Sequence, residues 1–384
     1  MNSKKHPIKN QNDLLYAYEQ GDFKKFCQLI EDGSDINCIL ADGESLISNV
    51  VENLCEIKNN KKFFDKLMSL NVSFQHGKNE CDLLSTAIRF QPDIYYMKKL
   101  LEKGIKINSL SQIKDDEIID HEGIIVYGPS IYEAISSFDT KKIDLLLKYK
   151  PDLEICNSDD VPLLSFLMYK DSYNNNGKLA NKYFPILMKK GASIFETDLY
   201  GKQPIHYWAA YNGNINNFDL LIKRKININA KDKYGNTPLM EAASSNNYKS
   251  ASILIKNNAD LNIQNKDGKT ALMMMTGYSC DMWAGHRQFI DIRITKTFLK
   301  SGCDFLLCDD NLENIAHYLA HCPTTIWSNQ DIEIYSKLFN KHPKLISQKN
   351  KNGKTPMDIL KNKNKKIHSK FMKLIEKNTS HEYN

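Results

Sequence analysis

One phrase recurs along this chain, and its spacing constrains the fold more than any other feature of the sequence. A leucine-rich pair is followed by two polar residues, a Gly or Asn, and an aliphatic residue beside Asp or Asn, as in SILIKNNADLN at 252–262. Nine copies occur, with turn positions at Gly33, Asn71, Gly104, Lys150, Gly191, Lys225, Asn258, Gly302 and His342. Successive turn positions are at least 33 and at most 46 residues apart. A period of this length predicts an array of stacked repeats.

A second phrase follows the first and opens the next repeat, as in DKYGNTPLMEAA at 232–243. Asp and Gly favour a tight turn in which Gly takes a positive φ. Thr237 is predicted to cap the following helix, and Pro238 fits its first position, where no backbone N–H is required. The stretch 248–256 then supplies a second amphipathic helix that ends near Asn258. Each repeat is therefore predicted to be two antiparallel helices with a projecting tip.

Together the two phrases resemble the ankyrin repeat family, whose consensus is D-x-x-G-x-T-P-L-H-x-A-A followed by a leucine-rich helix and G-A-D-hydrophobic-N. Residues 232–262 match this consensus closely, residues 198–229 and 265–275 match nearly as well, and weaker copies recur over most of the chain. The resemblance implies an all-α fold, an ankyrin-repeat solenoid of about ten helix-turn-helix units with short β-hairpin or loop tips. Helices this short cannot bury their apolar faces alone, so we expect successive units to stack.

The repeats divide the chain into three predicted segments. Residues 1–40 form an N-terminal capping repeat, residues 41–348 hold the ankyrin repeats, and residues 349–384 form a C-terminal capping repeat with a Lys-rich tail. Four spacings exceed the shortest one by seven residues or more. Because a helix pair should not absorb such an excess, we expect enlarged loops on one face of the array. These insertions are predicted near 109–127, 171–178, 277–292 and 321–331.

Composition favours a chain that works in a reducing, cytoplasmic compartment. The nine cysteines form no CxxC pair and have no histidine partner at metal-finger spacing, so we expect reduced thiols and no metal. No apolar run approaches the roughly 20 residues that span a bilayer, and the N-terminus lacks the apolar core of a secretory signal. Lysines make up 48 of the 52 basic residues, a bias typical of an AT-rich genome such as that of a bacterium, an intracellular pathogen or a large virus. The likeness to ankyrin proteins of intracellular bacteria leaves delivery into a host cell open.

No sequence motif provides a catalytic centre, so the chain is predicted not to be an enzyme and to need no cofactor. His206 and His317 occupy the same repeat position, where the resemblance implies a histidine that supports the turn by hydrogen bonding. Cys280 and His286 lie in one insertion, and a Cys–His pair can form a nucleophile and base, but the flanking residues match no Cys-protease signature. A glycine-rich phosphate loop, a zinc-ligand set and a nucleophile elbow are also missing from the sequence.

The resemblance implies a scaffold that binds a partner protein along the concave surface and the hairpin tips of the array. Family contact positions fall on Leu199, Tyr200, Lys202, Lys233, Tyr234, Asn236, Lys266, Asp267 and Lys269, with Ser244 and Ser245 after the first helix of the middle repeat. The 277–292 insertion adds Trp283, His286 and Arg287, residue types that are enriched at interaction hot spots. Packing of Trp283 back onto the stack is the alternative for that insertion.

The alternative function belongs to a different class. A secreted effector-like enzyme or a nucleic-acid-associated protein would act through an insertion loop or through the basic C-terminal tail. That tail carries twelve lysines against two acidic residues between Lys341 and Lys377. Because the stretch 361–370 has no interleaved aromatics and almost no arginine, a solvated helix face is expected rather than a nucleic-acid site. We also expect no small-molecule substrate, no membrane span and a monomer.

Overall fold

The computed structural model describes residues 11–40, 43–53, 57, 59–74, 83–108, 128–174, 177–211, 215–275, 292–322 and 328–381. These residues form α-helices joined by turns and contain no β-strand, although one isolated antiparallel bridge joins Ile39 to Ser45. The predicted all-α class is therefore confirmed, and the tips in this part of the chain are turns. The chain divides into two compact units, which we call unit 1 (Met1–Phe166) and unit 2 (Leu167–Asn384).

Unit 1 is built from pairs of short helices whose first members stack on one another. Its helices are α1 (Gln11–Glu19), α2 (Phe23–Glu31), α3 (Leu46–Glu52), α4 (Asn60–Ser69), α5 (Leu83–Phe90), α6 (Tyr95–Glu102), α7 (Ser130–Ser136) and α8 (Thr140–Lys148). Helix α3 packs against α5, and α5 packs against α7, while each also contacts the second helix of its own pair. The boundary between the units falls within α9 (Leu163–Asn174).

Unit 2 continues the same arrangement of paired helices. Its remaining helices are α10 (Lys178–Lys189), α11 (Pro204–Ala210), α12 (Ile215–Lys223), α13 (Pro238–Ser244), α14 (Tyr248–Lys256), α15 (Ala271–Met274), α16 (Ile292–Lys300), α17 (Ile315–His321), α18 (Asn329–Lys341), α19 (Lys344–Ser347), α20 (Pro356–Lys363) and α21 (Lys365–His381). The first helices α11, α13, α15, α17 and α20 pack in that order, each against the next. Second helices pack likewise, α10 against α12, α14 against α16 and α18 against α21. Successive repeats therefore abut within unit 2, as predicted.

Small side chains and local capping explain the close packing of α13. Thr237 precedes the helix, and its side chain accepts a hydrogen bond from the backbone N–H of Met240. Pro238 takes the first helical position. Ala242 and Ala243 are fully buried, which lets the backbones of α11, α13 and α15 approach closely because no larger side chain separates them.

The conformation of the turn that ends each second helix was predictable at most positions. Seven of the predicted turn residues have left-handed backbones with φ from 53° to 111°, namely Gly33, Gly104, Lys150, Gly191, Lys225, Asn258 and Gly302. Asn71 and His342 do not share this conformation. His342 has a φ of −131° and precedes Pro343, which favours extended backbone in the preceding residue. The short helix α19 (Lys344–Ser347) follows there.

Only part of the insertion prediction lies within the described residues. The segments 109–127 and 276–291 fall outside them. At 171–178 the expectation of an enlarged loop is wrong, because α9 and α10 are each 12 residues long whereas α11 has seven. The extra residues lengthen two helices, which satisfies their backbone groups within the helix. Helix α18 begins at Asn329, within the predicted insertion at 321–331, and is 13 residues long, while residues 323–327 of that insertion lie outside the described residues.

The first and last helix pairs that the structure describes both bury apolar side chains. Leu14 and Phe26 are buried between α1, α2 and their neighbours, and Phe371 in α21 is buried with its ring 5.6 Å from Phe339. The lysines of α20 and α21 up to Lys373 are exposed. Across the described residues, no helix has the length and apolar character needed to cross a membrane.

Candidate binding surface

Five six-residue turns of unit 2 precede its first helices, and we call them tips 1 to 5. They comprise residues 198–203, 232–237, 265–270, 309–314 and 350–355. Tips 1 to 3 contain nine of the eleven family contact positions predicted within 198–269. The structure therefore brings those nine residues together on consecutive repeats of one compact unit.

The Asp or Asn at the first position fixes the backbone of each tip, and this residue is buried in every tip except tip 3, where Asn265 is partly exposed. In tip 2, the Oδ1 atom of Asp232 accepts hydrogen bonds from the backbone N–H groups of Tyr234 and Asn236, both at 2.8 Å, and Asp232 is only 6% exposed. The same two bonds, at 2.8–3.1 Å, are accepted by Asp198, Asn265, Asp309 and Asn350. An Asp or Asn that bonds to its own following backbone holds a turn without help from the solvent.

Backbone hydrogen bonds also join each tip to the next one. In each case the second residue of a tip donates its N–H to the carbonyl of the third residue of the preceding tip. Three of these four bonds are 2.8–2.9 Å long, namely Lys233 to Tyr200, Lys266 to Tyr234 and Lys351 to Asn311. The fourth joins Asp310 to Asp267 at 3.0 Å. The row of tips is thus a ladder of main-chain contacts, and these contacts do not depend on the outward side chains.

Glycine is required where these tips approach most closely. Gly268 has a φ of 76°, and a Cβ atom built there would lie 2.8 Å from the backbone nitrogen of Asp310. At Gly235 the corresponding distance to the backbone nitrogen of Lys266 is 3.0 Å. Both the positive φ and the short distance to backbone atoms exclude a larger residue without a shift of the neighbouring tip.

Tips 1 and 2 present an exposed aromatic pair. The rings of Tyr200 and Tyr234 stack with centroids 6.3 Å apart and an interplanar angle of 25°, and each side chain is 55% exposed. Leu199 beside them is 49% exposed. Apolar residues that remain exposed next to one another on a fixed backbone are typical of protein interaction sites. Tyrosine is also over-represented among residues that contribute most to binding.

The charged residues of the tips divide into paired and outward-facing groups. Lys202 forms an ion pair with Glu241 of α13 at 3.0 Å, and Lys269 forms one with Asp267 at 3.3 Å. Lys233 and Lys266 are exposed and form no ion pair with any residue that the structure describes. Two of the predicted lysine contacts are therefore engaged within the protein, and two face the solvent.

Ser244 and Ser245 lie apart from the tips. They end helix α13, and its seven residues at 1.5 Å each place them about 10 Å from tip 2 along the helix axis. Ser245 is exposed and helps to line a groove of 570 Å³ at the C-terminal ends of α11 and α13. Tyr211 and Tyr248 also line this groove, and the guanidinium of Arg293 lies 4.7 Å from the Tyr248 ring centroid.

The two repeat-position histidines support the tips, which confirms the structural role predicted for them. His206 is buried, its Nδ1 accepts a hydrogen bond from the Gln203 N–H at 3.1 Å, and its Nε2 lies 3.1 Å from the carbonyl oxygen of Ala230. His317 makes the equivalent contacts with the Asn314 N–H and the Lys354 carbonyl. Burial is the main reason that the pKa values of both imidazoles lie below their ordinary value. For His206, a neutral ring with a proton on Nε2 satisfies both contacts.

The described cysteines and metal-ligating residue types form neither a disulfide nor a metal site. The six cysteines among them are free thiols, and no group of three or more His, Cys, Asp or Glu residues there could hold a metal ion. Trp283, His286 and Arg287, with Cys280, lie outside the described residues. Their predicted roles stay predictions.

The sequence analysis did not identify some residues that support this surface. Glu241 pairs with Lys202, and the hydroxyl of Tyr207 donates to Oδ2 of Asp198 at 2.6 Å. Tyr318 and Asp309 repeat the second contact at 2.7 Å. The nine-residue spacing between the tip aspartate and the helix tyrosine was the available signal for this contact. The Glu241 pair has no such signal, because its partners belong to different repeats.

Paired helices that stack on their neighbours and carry tips of fixed backbone define a repeat-type interaction module. The family model for ankyrin repeats (3 copies) matches residues 167–265 and 208–282. Residues 167–282 therefore contain ankyrin repeats, as the sequence resemblance predicted for this part of the chain. Such repeats are in general modules of protein–protein interaction. No curated protein shows a significant match to the sequence.

Proposed function

We propose that this protein is a non-catalytic scaffold that binds a partner protein through tips 1 to 3. The observation that carries the proposal is the stacked pair of Tyr200 and Tyr234, each more than half exposed, on backbones joined by the Lys233 to Tyr200 hydrogen bond. A partner would meet side chains whose backbone is already ordered. Binding would therefore cost little conformational entropy on this side of the interface.

The chemistry of the outward side chains supports a mixed apolar and cationic contact. Leu199 and the two tyrosines supply apolar area, while Lys233 and Lys266 add exposed positive charge. Charged groups at the edge of an apolar contact steer encounter and fix orientation more than they raise affinity. The tyrosines are therefore expected to account for most of the binding energy, and the lysines for the choice of partner.

An affinity capture with mass spectrometry tests the proposal. The wild-type chain is compared with a Tyr200→Ala, Tyr234→Ala, Lys266→Ala variant and with a control that loses the same residue types elsewhere, Tyr16→Ala, Tyr149→Ala, Lys256→Ala. These three control positions are exposed and lie outside the tips. Proteins retained by the wild type and the control but lost with the tip variant support the proposal. Equal retention by all three chains contradicts it.

The same proposal includes a reducing, cytoplasmic place of action and the absence of catalysis. The free thiols of Cys303 and Cys322, both buried, are compatible with a reducing compartment. Cell fractionation with an antibody against the chain tests the location. A substrate turnover that persists in the tip variant but is lost when 277–292 is replaced by alanines would contradict the non-catalytic part.

A further inference from the structure

Tip 4 differs from the other tips at the position where they carry glycine. Gly201, Gly235, Gly268 and Gly353 have φ values of 71° to 80°, and Leu312 takes the same left-handed conformation with a φ of 59°. In this region the Cβ atom crowds the backbone, so a bulky L residue is disfavoured there. The turn itself would form with less strain around glycine. Strained residues of this kind are concentrated at functional positions.

The leucine side chain projects from a well-fixed backbone. Leu312 is 48% exposed, and its N–H donates to the carbonyl of Asp309 at 2.9 Å. Asp309 is buried and also accepts the N–H groups of Asn311 and Glu313 at 2.8 Å. Tip 5 adds a further restraint, because Lys351 donates to the carbonyl of Asn311. These hydrogen bonds fix the backbone of tip 4 with the apolar side chain of Leu312 at the surface.

Acidic residues accompany this leucine. Asp304, in the segment that leads to tip 4, and Asp310, within the tip, are both exposed, and neither forms an ion pair within the described part of the chain. Leu306, between them in sequence, is 41% exposed. The segment thus combines apolar side chains with uncompensated negative charge, whereas tips 1 to 3 combine apolar side chains with exposed lysines. Charge complementarity therefore favours a basic residue on whatever meets tip 4.

We propose that Leu312 is a contact residue that receives an aliphatic or aromatic side chain of a partner polypeptide, with a basic residue of that partner beside it facing Asp310. This inference rests on the function proposed above and extends the binding surface from tips 1 to 3 onto tip 4. It also assigns a reason to the left-handed leucine, since glycine would fit the turn but would offer no apolar contact.

The first test separates a structural role of Leu312 from a binding role. Leu312→Gly is compared with Lys225→Gly, which relieves the same kind of conformation (φ 58°) at the exposed end of α12. Both substitutions should leave the melting temperature unchanged or raise it by about 1–4 °C, because each removes backbone strain. A clear fall in melting temperature for Leu312→Gly alone would show that the leucine serves the fold, and would overturn the proposal.

The second test measures binding with a defined probe. Random dodecapeptides displayed on phage are selected on the full-length wild-type chain, and the enriched peptides are synthesised and titrated by fluorescence anisotropy. Leu312→Gly should weaken those peptides by about tenfold, as expected for the loss of one apolar contact residue, whereas Lys225→Gly should not. The enriched peptides should carry an apolar residue next to Lys or Arg, and Asp310→Lys should also weaken them.

The outcomes distinguish this inference from the proposed function. Unchanged affinity for Leu312→Gly, together with a loss for Tyr200→Ala, Tyr234→Ala, would overturn the role of Leu312 and leave tips 1 to 3 as the binding surface. Selection of no peptide, or equal affinity for every variant, would contradict both proposals. Concentration-dependent self-association that disappears with Leu312→Gly, measured by light scattering, would assign the leucine to contact between copies and overturn the partner proposal.

Discussion

In unit 1 the described contacts between successive repeats include several buried side chains, whereas in unit 2 a continuous backbone ladder joins the tips. Arg89 of α5 binds Glu133 of α7, and Lys142 of α8 donates its Nζ to the carbonyl of Ile88 at 2.6 Å. Lys142 is 6% exposed, and the side chain of Glu133 is 7% exposed. Unit 2 also has a buried side-chain link of this kind, from His206 to the carbonyl of Ala230, and it adds the main-chain links between tips 1 to 5.

This difference bears on where recognition can be located. A side chain that holds repeats together from the interior cannot be changed without a cost in stability. A tip that is held by its main chain and by one inward Asp or Asn leaves its outward residues free to vary. We therefore expect the repeats of unit 2 to tolerate exchange of Leu199, Tyr200, Lys233 and Tyr234 better than unit 1 tolerates exchange of its buried links.

The largest expected effect is in unit 1. Arg89→Met leaves Glu133 buried without its cation, so we expect the local free energy of unfolding to fall by about 3 kcal/mol. Hydrogen exchange in α5 and α7 measures the loss. Adding Glu133→Leu should recover much of it, because the double variant buries no unpaired charge. A loss below about 1 kcal/mol for Arg89→Met would indicate a solvated pair and would weaken the contrast between the units.

The next effect concerns the tips. Asp232→Ala removes the acceptor of two backbone N–H groups, so we expect unit 2 to lose about 2 kcal/mol of stability. The matched control is Asp267→Ala in the next tip. Its side chain is 68% exposed and pairs with Lys269, so this change should alter stability by no more than about 0.5 kcal/mol. Urea unfolding of both variants measures the difference. Equal losses would show that the inward aspartate does not hold the tip.

A smaller effect should appear as a pH dependence of unit 2. His206 and His317 have folded pKa values below the ordinary 6.5, mainly because of burial, so the unfolded chain binds their protons more tightly. Their contribution to stability is complete above about pH 6.5 and is lost as the pH falls toward the lower folded pKa values.

The double variant His206→Gln, His317→Gln supplies the control for this dependence. Glutamine can accept and donate in the places of Nδ1 and Nε2 but does not titrate. Thermal unfolding between pH 7.5 and 5 should therefore show a shallower decline for the variant than for the wild type. The same decline in both chains would assign the pH dependence to other groups.

The smallest effect is expected for the ion pair between Lys202 and Glu241. Both side chains are partly exposed, at 27% and 16%, so Lys202→Ala should change stability by about 0.5 kcal/mol or less. A double-mutant cycle with Glu241→Ala isolates the pair. A coupling energy well above 1 kcal/mol would mean that Lys202 belongs to the structural links of unit 2 and is not available to a partner.

Much of the fold and of the tip geometry could be predicted from sequence. The Asp–x–x–Gly–x–Thr–Pro phrase at 232–238 predicted the turn, the cap and the start of α13, and all three are observed. The enlarged loop predicted at 171–178 was wrong. The Asn-rich sequence there is typical of a loop, but α9 and α10 continue into it from both sides.

By itself, the sequence determined the repeat unit, its turns and caps, and the likeness of residues 167–282 to ankyrin repeats, because those features arise from hydrogen bonds and φ preferences among residues a few positions apart. The tertiary structure alone decided which outward residues are exposed and which are engaged. Tyr200 meets Tyr234, and Lys202 meets Glu241, across more than 30 residues of sequence. Such pairs depend on the register in which one repeat stacks on the next, and that register is set by packing of whole helices rather than by any local phrase.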